Sequence, residues 1–466
     1  RTRPRLADPA LDRARRAHAQ WAMTALVYRK SVPRYLLLKW LAPRWPRLYT
    51  SRLVPLVLRN TPEPRLPTAS WLRIRPRLAG ICGSDLATIC ATSSPYLAPV
   101  TSLPFVMGHE LVGTVVDIGR DVTRAAVGDR VVLRPALGCT ARGIDPPCDA
   151  CRGGADALCR NVTRGDIAEG IQTGFCRDTG GGFSTGLVAH ESQVYPVPDD
   201  LADEAAVLIE PFACALHGAL RVSLSPRDTA LVIGCGSIGL LTIAALRAVG
   251  ARARIVAVAK HEHQQALAAS LGAGACLHAT GPVRARYARW AAALDAEVLD
   301  PPLGKPLVIG GADATFDCVA SASSIDDAIR FTKSGGTLVL VGMPGIPKGI
   351  DWTPLWFKEL TLRAAYAYGP ERAVSPTGPT ELTGPGATTA TTRLAADSNR
   401  GATPNQHRRD TFDIAIDRCR QWQDRLKPLV GPPFALTDYR AAFAAALNTA
   451  ASRVAKTVFA IQPDGN

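Results

Sequence analysis

The sequence of 466 residues predicts an α/β protein in two parts: a barrel-like region of short β-strands, and a region in which helices cover a parallel sheet. Two observations predict this fold class. Residues 71–200 contain short apolar runs separated by Gly, Pro and Asp turns, which is typical of an antiparallel or barrel-like sheet. From about residue 226, strand-like runs such as TALVIG and RIVAVA alternate with helix-like runs, which indicates right-handed βαβ units.

The net charge of +14 does not describe the whole chain, because nearly all of it lies near the N-terminus. Residues 1–77 hold 18 Lys and Arg side chains and only three acidic residues, Asp8, Asp12 and Glu63. The other 389 residues hold 36 basic and 37 acidic side chains, so they are close to neutral. Since the bulk of the protein has no excess of positive charge, we expect no nucleic-acid partner.

Three segments have compositions that predict little regular structure. Residues 1–22 are rich in Arg but lack the apolar run of a secretory signal, so we expect a disordered N-terminal extension. Residues 31–67 are rich in Pro, Arg, Leu and Trp, and we expect irregular surface structure there. Residues 370–410 are rich in Thr, Pro and Gly, which favours a disordered insertion.

The longest mostly apolar stretch, residues 230–248, is nearly long enough to span a membrane, but its glycines indicate a different use. They stand at dinucleotide-binding spacing between a predicted strand and a predicted helix. The first allows a tight turn, the second lets a pyrophosphate approach, and the third lets the helix pack closely. We therefore predict a Rossmann domain at residues 225–355 and no membrane partner. The expected cofactor contacts are Gly234, Gly236, Ser237, Ile238 and Gly239.

The residues that follow the second predicted strand of this domain favour NADP over NAD. An NAD site usually has an acidic residue at this strand end, which accepts hydrogen bonds from the ribose hydroxyls. This sequence has Ala259, Lys260 and His261 instead, so the acceptor is missing and a cation is present for the 2′-phosphate. If the strand ends two or three residues later, Glu262 is the ribose acceptor and NAD is the alternative.

Two further segments, GICGSD and GHELVG, carry residues that bind zinc. Cys82 in the first offers a thiolate and His109 in the second offers an imidazole, and both are good zinc ligands. A catalytic zinc site needs three protein ligands and one open position. The third ligand is expected to be acidic, either Glu110 or Glu210.

Together these segments resemble the medium-chain, zinc-dependent alcohol dehydrogenase superfamily, and within it the polyol and threonine dehydrogenase branch. The family pattern G-H-E-x-x-G-x-V-x-x-x-G is matched in full from Gly108 onward, and the resemblance covers residues 71–369 and 426–461. The resemblance implies a GroES-like catalytic domain, formed by residues 23–224 and 356–466, beside the Rossmann domain.

The resemblance also implies roles for individual residues. In that branch the metal is held by Cys, His and Glu, which correspond here to Cys82, His109 and Glu110. Glu210 stands where the alcohol dehydrogenase branch has its third ligand, a cysteine, so it contacts the metal either directly or through the metal-bound water. Asp85 would accept a hydrogen bond from His109 and orient it.

The resemblance makes Ser84, together with Asp85, part of the catalytic machinery. Ser84 would pass the alcohol proton away from the substrate. In many relatives a His three residues later continues this relay to solvent, but this sequence has Ala87 at that position. The departure affects the expected proton path and leaves the expected hydride transfer unchanged.

Cys148, Cys151 and Cys159 match the last three ligands of the family's structural zinc lobe. The first ligand is displaced, because Asp145 stands at the expected position and the nearest cysteine is Cys139. We interpret the lobe as a tetrahedral four-cysteine site, with Asp145 as a ligand or a lost site as the alternatives. Twelve cysteines in all are too few for a disulfide scaffold, which favours a reducing, cytoplasmic location.

Two hypotheses follow for the function. The first is a zinc-dependent oxidoreductase that moves a hydride between a nicotinamide cofactor, preferably NADP, and an alcohol or polyol or its carbonyl product. The second is a non-catalytic nicotinamide-binding redox sensor on the same fold. The expected partner is a small-molecule alcohol or carbonyl compound, and the resemblance implies a homodimer or homotetramer.

Overall fold

The computed structural model describes residues 22–29, 31–372 and 408–461. The first part of the chain is rich in short strands, as its turn-punctuated sequence predicts. Its strands are β1 (Ala22–Tyr28), β2 (Leu56–Pro62), β3 (Trp71–Gly80), β4 (Phe105–Val106), β5 (Glu110–Ile118), β6 (Arg130–Leu133), β7 (Leu187–His190) and β8 (Val194–Pro196). Its helices are α1 (Val32–Leu41), α2 (Gly83–Ile89), α3 (Asp149–Arg152), α4 (Asp203–Ala206) and α5 (Ile209–Ala219).

The pair β3 and β5 forms the centre of this region. The two strands run antiparallel, and their register places Gly80 opposite Glu110. Apolar side chains of β3, including Trp71, Leu72 and Ile74, are buried in the core. The pairing matters for function because it brings the ends of the GICGSD and GHELVG segments side by side.

The second part of the chain alternates strands with helices. Its strands are β9 (Thr229–Ile233), β10 (Arg254–Ala259), β11 (Ala275–His278), β12 (Glu297–Leu299), β13 (Leu307–Ile309), β14 (Ala312–Asp317), β15 (Thr332–Leu340) and β16 (Thr361–Ala364). Its helices are α6 (Ser237–Ala248), α7 (Glu262–Ser270), α8 (Val283–Leu294), α9 (Ala322–Phe331) and α10 (Thr353–Phe357).

Six of these strands form a parallel sheet in the order β11-β10-β9-β14-β15-β16. Strands β9 and β10 read as nearly continuous apolar runs because both faces of such a sheet are covered. The order reverses beside β9, which is where doubly wound sheets bind their ligands. Strand β16 pairs with β15, so this sheet continues to residue 364, past the residue 355 at which the predicted Rossmann domain ends.

The last part of the chain returns to the first. It contains β17 (Pro370–Arg372), β18 (Arg408–Asp410), β19 (Phe434–Ala435) and β20 (Val458–Ala460), and the helices α11 (Thr411–Leu426), α12 (Tyr439–Leu447) and α13 (Thr449–Ser452). Strand β20 pairs antiparallel with β3, with Val458 opposite Gly80. The barrel-like sheet therefore has the order β19-β20-β3-β5-β6-β8, and β7 also pairs with β3.

The segment 31–67 differs from its prediction as irregular surface structure. It contains α1, which has Pro33 in its first turn, and β2, which pairs with β1. Proline is well tolerated at the start of a helix because its missing N–H would have no helical partner there. A composition rich in Pro and Arg therefore did not prevent regular structure.

The two segments predicted to be disordered lie mostly outside the described residues, but their edges are ordered. Ala22 begins β1 rather than ending an N-terminal extension. Within the segment 370–410, the first and last three residues form β17 and β18, which pair antiparallel. Over the described part of the chain, the helices are too short or too polar to cross a membrane.

Candidate metal and cofactor sites

Three side chains of types that can bind zinc meet where β3 pairs with β5. Cys82 directly precedes α2, His109 directly precedes β5, and Glu110 is the first residue of β5. Their donor atoms all lie within 4.8 Å of one another. We refer to Cys82, His109 and Glu110 as the mixed-ligand cluster. A Cβ atom on Gly80 would lie 2.5 Å from Glu110 Oε2, so only glycine leaves room for this carboxylate.

Asp85 and Ser84 surround the imidazole of His109. Asp85 is fully buried, its Oδ2 accepts a hydrogen bond from the Cys82 backbone at 2.9 Å, and its Oδ1 lies 3.9 Å from His109 Nδ1. Ser84 Oγ lies 3.5 Å from His109 Nε2. Asp85 is thus placed to orient the ring, and Ser84 lies on the side that faces the cluster.

The mixed-ligand cluster is rich in negative charge. Burial lowers the pKa of His109, but the Cys82 thiolate and the Asp85 carboxylate outweigh it and raise that pKa to about 10. Burial raises the pKa of Asp85 to about 6. Within the described structure, His109 Nδ1, Glu110 Oε1 and Asp85 Oδ1 are buried without a hydrogen-bond partner. A thiolate, an imidazole and a carboxylate with unsatisfied atoms fit a zinc ion.

The two candidates for the acidic ligand are in different surroundings. Glu110 belongs to the cluster, but its Oε2 accepts a hydrogen bond from Lys456 Nζ at 2.6 Å in a fully buried ion pair. Glu210 is buried on α5 outside the 4.8 Å group, where its Oε1 lies 3.7 Å from Cys214 Sγ. Burial raises the pKa of Glu210 to about 7, opposed by the charge of nearby His109. Both the Glu110 and the Glu210 carboxylate therefore remain candidates for the acidic metal ligand.

Sequence reasoning did not identify Lys456. Its ammonium is buried, and it also donates to the Ile81 carbonyl at 3.3 Å. Burial lowers the pKa of Lys456, but the Glu110 carboxylate outweighs it and the pKa is raised. The available signal was a lysine directly before the apolar strand TVFAI, where a buried lysine needs an anionic partner.

Four cysteines form a second group at the surface of the barrel-like region. The sulfur atoms of Cys139, Cys148, Cys151 and Cys159 lie within 4.8 Å of one another, and none is in a disulfide. We call them the four-cysteine cluster. Separations of 3.6 Å and 4.0 Å between sulfur atoms match the edge of about 3.8 Å expected for four sulfurs at 2.3 Å from zinc. Asp145 is exposed and is not part of the group, whereas Cys139 is.

The loop between the first two of these cysteines is held by Arg142, which sequence reasoning also missed. This side chain is completely buried. Its guanidinium donates to the carbonyl groups of Leu137, Arg164, Ile167, Ala168 and Gly170. Five backbone acceptors around one cation fix the shape of the lobe.

The glycine-rich turn lies between β9 and α6, as predicted. Gly234 has a φ of 92°, which favours glycine, and Gly236 faces open space in which a phosphate can approach the backbone. A Cβ atom on Gly239 would lie 1.7 Å from the Gly234 carbonyl oxygen, so helix and turn pack too closely for any side chain. Ser237 Oγ donates to the Ala455 carbonyl, and Ile238 follows it in the first turn of α6.

Strand β10 ends at Ala259, and α7 begins at Glu262. Lys260 is exposed directly after the strand, and His261 precedes the helix, stacked on the ring of His263 with 5.5 Å between ring centres. The pKa of His263 is lowered, first by burial and then by the charges of His261 and Arg453. Positive charge therefore collects beside this strand end.

The segment Arg453–Lys456 joins the two sites. The carbonyl of Ala455 accepts the hydrogen bond from Ser237 in the glycine-rich turn. The next residue, Lys456, reaches Glu110 in the mixed-ligand cluster. Because consecutive Cα atoms are about 3.8 Å apart, the nucleotide-type turn and the zinc-type cluster are neighbours in space.

Comparison with known proteins gives matches to two family models. Residues 68–199 match the alcohol dehydrogenase GroES-like domain, and residues 237–376 match the zinc-binding dehydrogenase domain. An L-threonine 3-dehydrogenase of Shewanella sediminis is 30% identical over 307 residues, 66% of this chain and 80% of that protein. An L-idonate 5-dehydrogenase of Vitis vinifera is 28% identical over 302 residues, 64% of this chain and 73% of that protein.

Among solved structures, the fold is similar to that of 2R,3R-butanediol dehydrogenase from Bacillus subtilis. The TM-score is 0.63 at 23% identity, and the alignment covers 94% of this chain and all of that one. At this identity the likeness concerns the fold alone. It agrees with the predicted combination of a GroES-like domain and a Rossmann domain.

Proposed function

The chain belongs to the medium-chain zinc-dependent alcohol dehydrogenase superfamily, in its polyol and threonine dehydrogenase-like branch. We propose that it is a zinc-dependent dehydrogenase that moves a hydride between an alcohol or polyol and the nicotinamide of NADP. The observation that carries this proposal is the contact of Arg453–Lys456 with both the glycine-rich turn and the mixed-ligand cluster. Hydride transfer requires cofactor and substrate to be adjacent, and this contact supports a cofactor site and a substrate site that lie side by side.

A zinc ion held by Cys82, His109 and either Glu110 or Glu210 would supply a Lewis acid that polarises the substrate oxygen. Oxidation of a CH–OH group removes a hydride, which goes to the nicotinamide, and a proton, which must leave by another path. Ser84 Oγ is the hydroxyl beside the cluster that can take part in moving that proton. With Ala87 in place of a relay histidine, the proton reaches solvent by a route that does not use that position.

The nucleotide preference rests on the end of β10. Ala259 offers no carboxylate to the ribose hydroxyls, Lys260 and Arg453 supply positive charge around that position, and His261 offers a further hydrogen-bond donor. These cations strengthen the binding of the 2′-phosphate of NADP, whereas they contribute little to the binding of NAD. Glu262 is exposed in the first turn of α7 and is the competing acceptor.

Metal analysis combined with a nicotinamide absorbance assay over a panel of alcohols and polyols tests the proposal. We expect two zinc ions per chain and turnover of at least one alcohol, with a higher kcat/KM for NADP than for NAD. Tight nucleotide binding without turnover of any alcohol or carbonyl compound would contradict the enzyme and favour the redox sensor.

Two variants test whether the residues at the end of β10 set the nucleotide preference. The double variant Ala259→Asp with Lys260→Ala is expected to shift the preference toward NAD. Glu262→Gln is the matched control, and its activity with both nucleotides should stay unchanged. A loss of NAD activity in Glu262→Gln would instead assign the ribose contact to Glu262.

The edge of the parallel sheet supports the expected self-association. All four residues of β16 are exposed, and Trp356 and Phe357 beside it are exposed as well. An unprotected strand edge next to apolar side chains suits pairing with a second copy. Size-exclusion chromatography of Leu362→Arg against wild type tests this, and an unchanged elution volume would contradict it.

A further inference from the structure

We propose that the surface carried by α1 binds anionic phospholipid membranes. The α1 surface consists of Val32, Leu36, Leu37, Trp40 and Trp45, and it lies before residue 68, where the matched family domain begins. The proposal replaces the expectation from sequence that the protein has no membrane partner.

Helix α1 is apolar on two opposite sides. Leu38 and Ala42 face inward and belong to the core of the barrel-like region. The outward side carries Leu36, which is 57% exposed, and Trp40, which is 69% exposed. Because residues four apart share one side of a helix, Leu36 and Trp40 form a continuous strip, and Val32 extends it. An exposed apolar strip of this kind on the outward side of a helix marks a surface that binds a partner.

Two cations border the α1 surface. At about 100° per residue, Lys39 lies beside Val32 at one border, and Arg34 lies beyond Leu37 at the other border, next to the buried Leu38. Both are exposed, and Lys39 Nζ lies 5.8 Å from the centre of the Tyr35 ring at the same border. Apolar side chains flanked by Lys and Arg are the arrangement of helices that lie in a membrane interface, with their cations at the level of the headgroups.

The surrounding chain adds positive charge and no negative charge. The described residues 22–29 and 31–62 contain seven Lys and Arg side chains and not one Asp or Glu. Among them, Arg44 and Arg47 are exposed on either side of Trp45, which is 57% exposed. Each cation near an anionic membrane contributes about 1 kcal/mol of attraction, and tryptophan is the residue that favours the interface. The charge therefore selects phosphatidylserine-like surfaces.

Other occupants fit this surface less well. A symmetric contact with a second copy would bring Arg34 and Lys39 close to the same cations of that copy. Residues 1–21 of this chain carry six Arg and two Asp, so their charge has the wrong sign to cover it. Nucleic acid would satisfy the cations but leave the aliphatic side chains of Val32 and Leu36 without a suitable partner.

Cosedimentation with lipid vesicles tests the proposal on the full chain. We expect binding to phosphatidylcholine vesicles with about 30 mol% phosphatidylserine, weaker binding to pure phosphatidylcholine, and release as salt rises from about 0.1 M to about 1 M. Two variants should each weaken binding at least about tenfold. They are Leu36→Ser with Leu37→Ser, and Arg34→Glu with Lys39→Glu.

Matched controls alter similar side chains elsewhere. Leu299→Ser with Leu303→Ser removes two exposed leucines from the Rossmann domain, and Arg252→Glu with Lys348→Glu reverses two exposed cations there. Both controls should bind vesicles like wild type. Thermal melting and dehydrogenase activity in solution should be the same in all four variants, which separates loss of binding from loss of fold.

Three results would overturn the proposal. The first is wild-type protein that stays in the supernatant with phosphatidylserine vesicles. The second is vesicle binding that the Leu36 and Arg34 variants leave unchanged. The third is the absence of vesicle binding together with a dimer or a complex with single-stranded DNA, if the Leu36 and Arg34 variants abolish that dimer or complex.

Discussion

The mixed-ligand cluster and the four-cysteine cluster are built in different ways. The mixed-ligand cluster takes its donors from two separate segments that the pairing of β3 with β5 brings together, and a lysine from the far end of the chain contacts it. The four-cysteine cluster takes every donor from residues 139–159, a single local loop. The first depends on the register of the whole sheet, whereas the second depends only on its own loop.

The atoms around the two clusters differ as well. In the four-cysteine cluster, backbone N–H groups donate to the sulfurs, as from Cys148 to Cys139 Sγ and from Asn161 to Cys159 Sγ, both at 3.3 Å. In the mixed-ligand cluster, His109 Nδ1 and Glu110 Oε1 are buried without a hydrogen-bond partner, as is Oδ1 of the adjacent Asp85. Sulfur ligands that accept backbone N–H groups suit a metal that stabilises a loop, and ligands with unpartnered polar atoms suit a metal that also meets a substrate.

The largest expected difference between the two clusters is in their effect on catalysis. Cys82→Ser or His109→Ala should each lower kcat/KM by about a thousandfold or more, because a lost Lewis acid costs several kcal/mol of transition-state stabilisation. The melting temperature and the nucleotide affinity should change little. Activity assays with parallel nucleotide titration measure both, and near-wild-type turnover in either variant would refute the assignment of the cluster to catalysis.

Lys456→Met should destabilise the fold through the mixed-ligand cluster. It leaves the Glu110 carboxylate buried without its cation, which typically costs about 3–5 kcal/mol. The double variant Glu110→Gln with Lys456→Met removes both charges and should recover most of that loss. Urea unfolding of the two single variants and the double variant measures the coupling, and strictly additive effects would show that the pair is not coupled.

Cys151→Ser should act on stability and leave catalysis nearly unchanged. We expect one zinc ion per chain instead of two, a melting temperature lower by roughly 5 °C, and faster proteolysis near residues 139–159. The value of kcat should stay within about twofold of wild type, because the two clusters share no ligand. A loss of activity as large as that in Cys82→Ser would contradict the assignment of the four-cysteine cluster to stability alone.

Arg142→Lys should have the smallest effect. The variant keeps the positive charge but cannot reach five carbonyl groups with one ammonium, so the lobe should lose about 1–2 kcal/mol of stability. Hydrogen exchange of residues 164–170 is the most direct measurement. Protection as in wild type would mean that the cysteines alone hold the lobe.

Much of this architecture could be predicted from sequence, because it is recorded in local patterns. The alternation of strands and helices after residue 226 predicts the parallel sheet, and the spacing around Gly234 predicts the nucleotide turn. Cys82, His109 and Glu110 come together as two short motifs that the sheet pairs. Cys139 is the predicted fourth ligand in spite of its displaced spacing, with Asp145 or a lost site as the alternatives, and the structure places its sulfur within 4.8 Å of the other three.

Other features left no local pattern. Lys456 is 346 residues away from Glu110, and no periodicity links the two. Arg142 is a single basic residue in a polar loop, and only the folded loop shows that it is buried. Helix α1 was missed because apolar residues on both of its sides remove the contrast between polar and apolar faces by which a helix is normally detected.

The position of Lys456 has a consequence for synthesis on the ribosome. A growing chain produces both clusters and the glycine-rich turn long before it produces the residues that join them. Until Val458 to Ala460 emerge, residues 78–80 of β3 lack a strand partner on one edge, and Glu110 is a carboxylate without its cation. The nascent barrel is therefore exposed to edge-to-edge association, and the contact between Lys456 and the mixed-ligand cluster forms only in one of the last steps of folding.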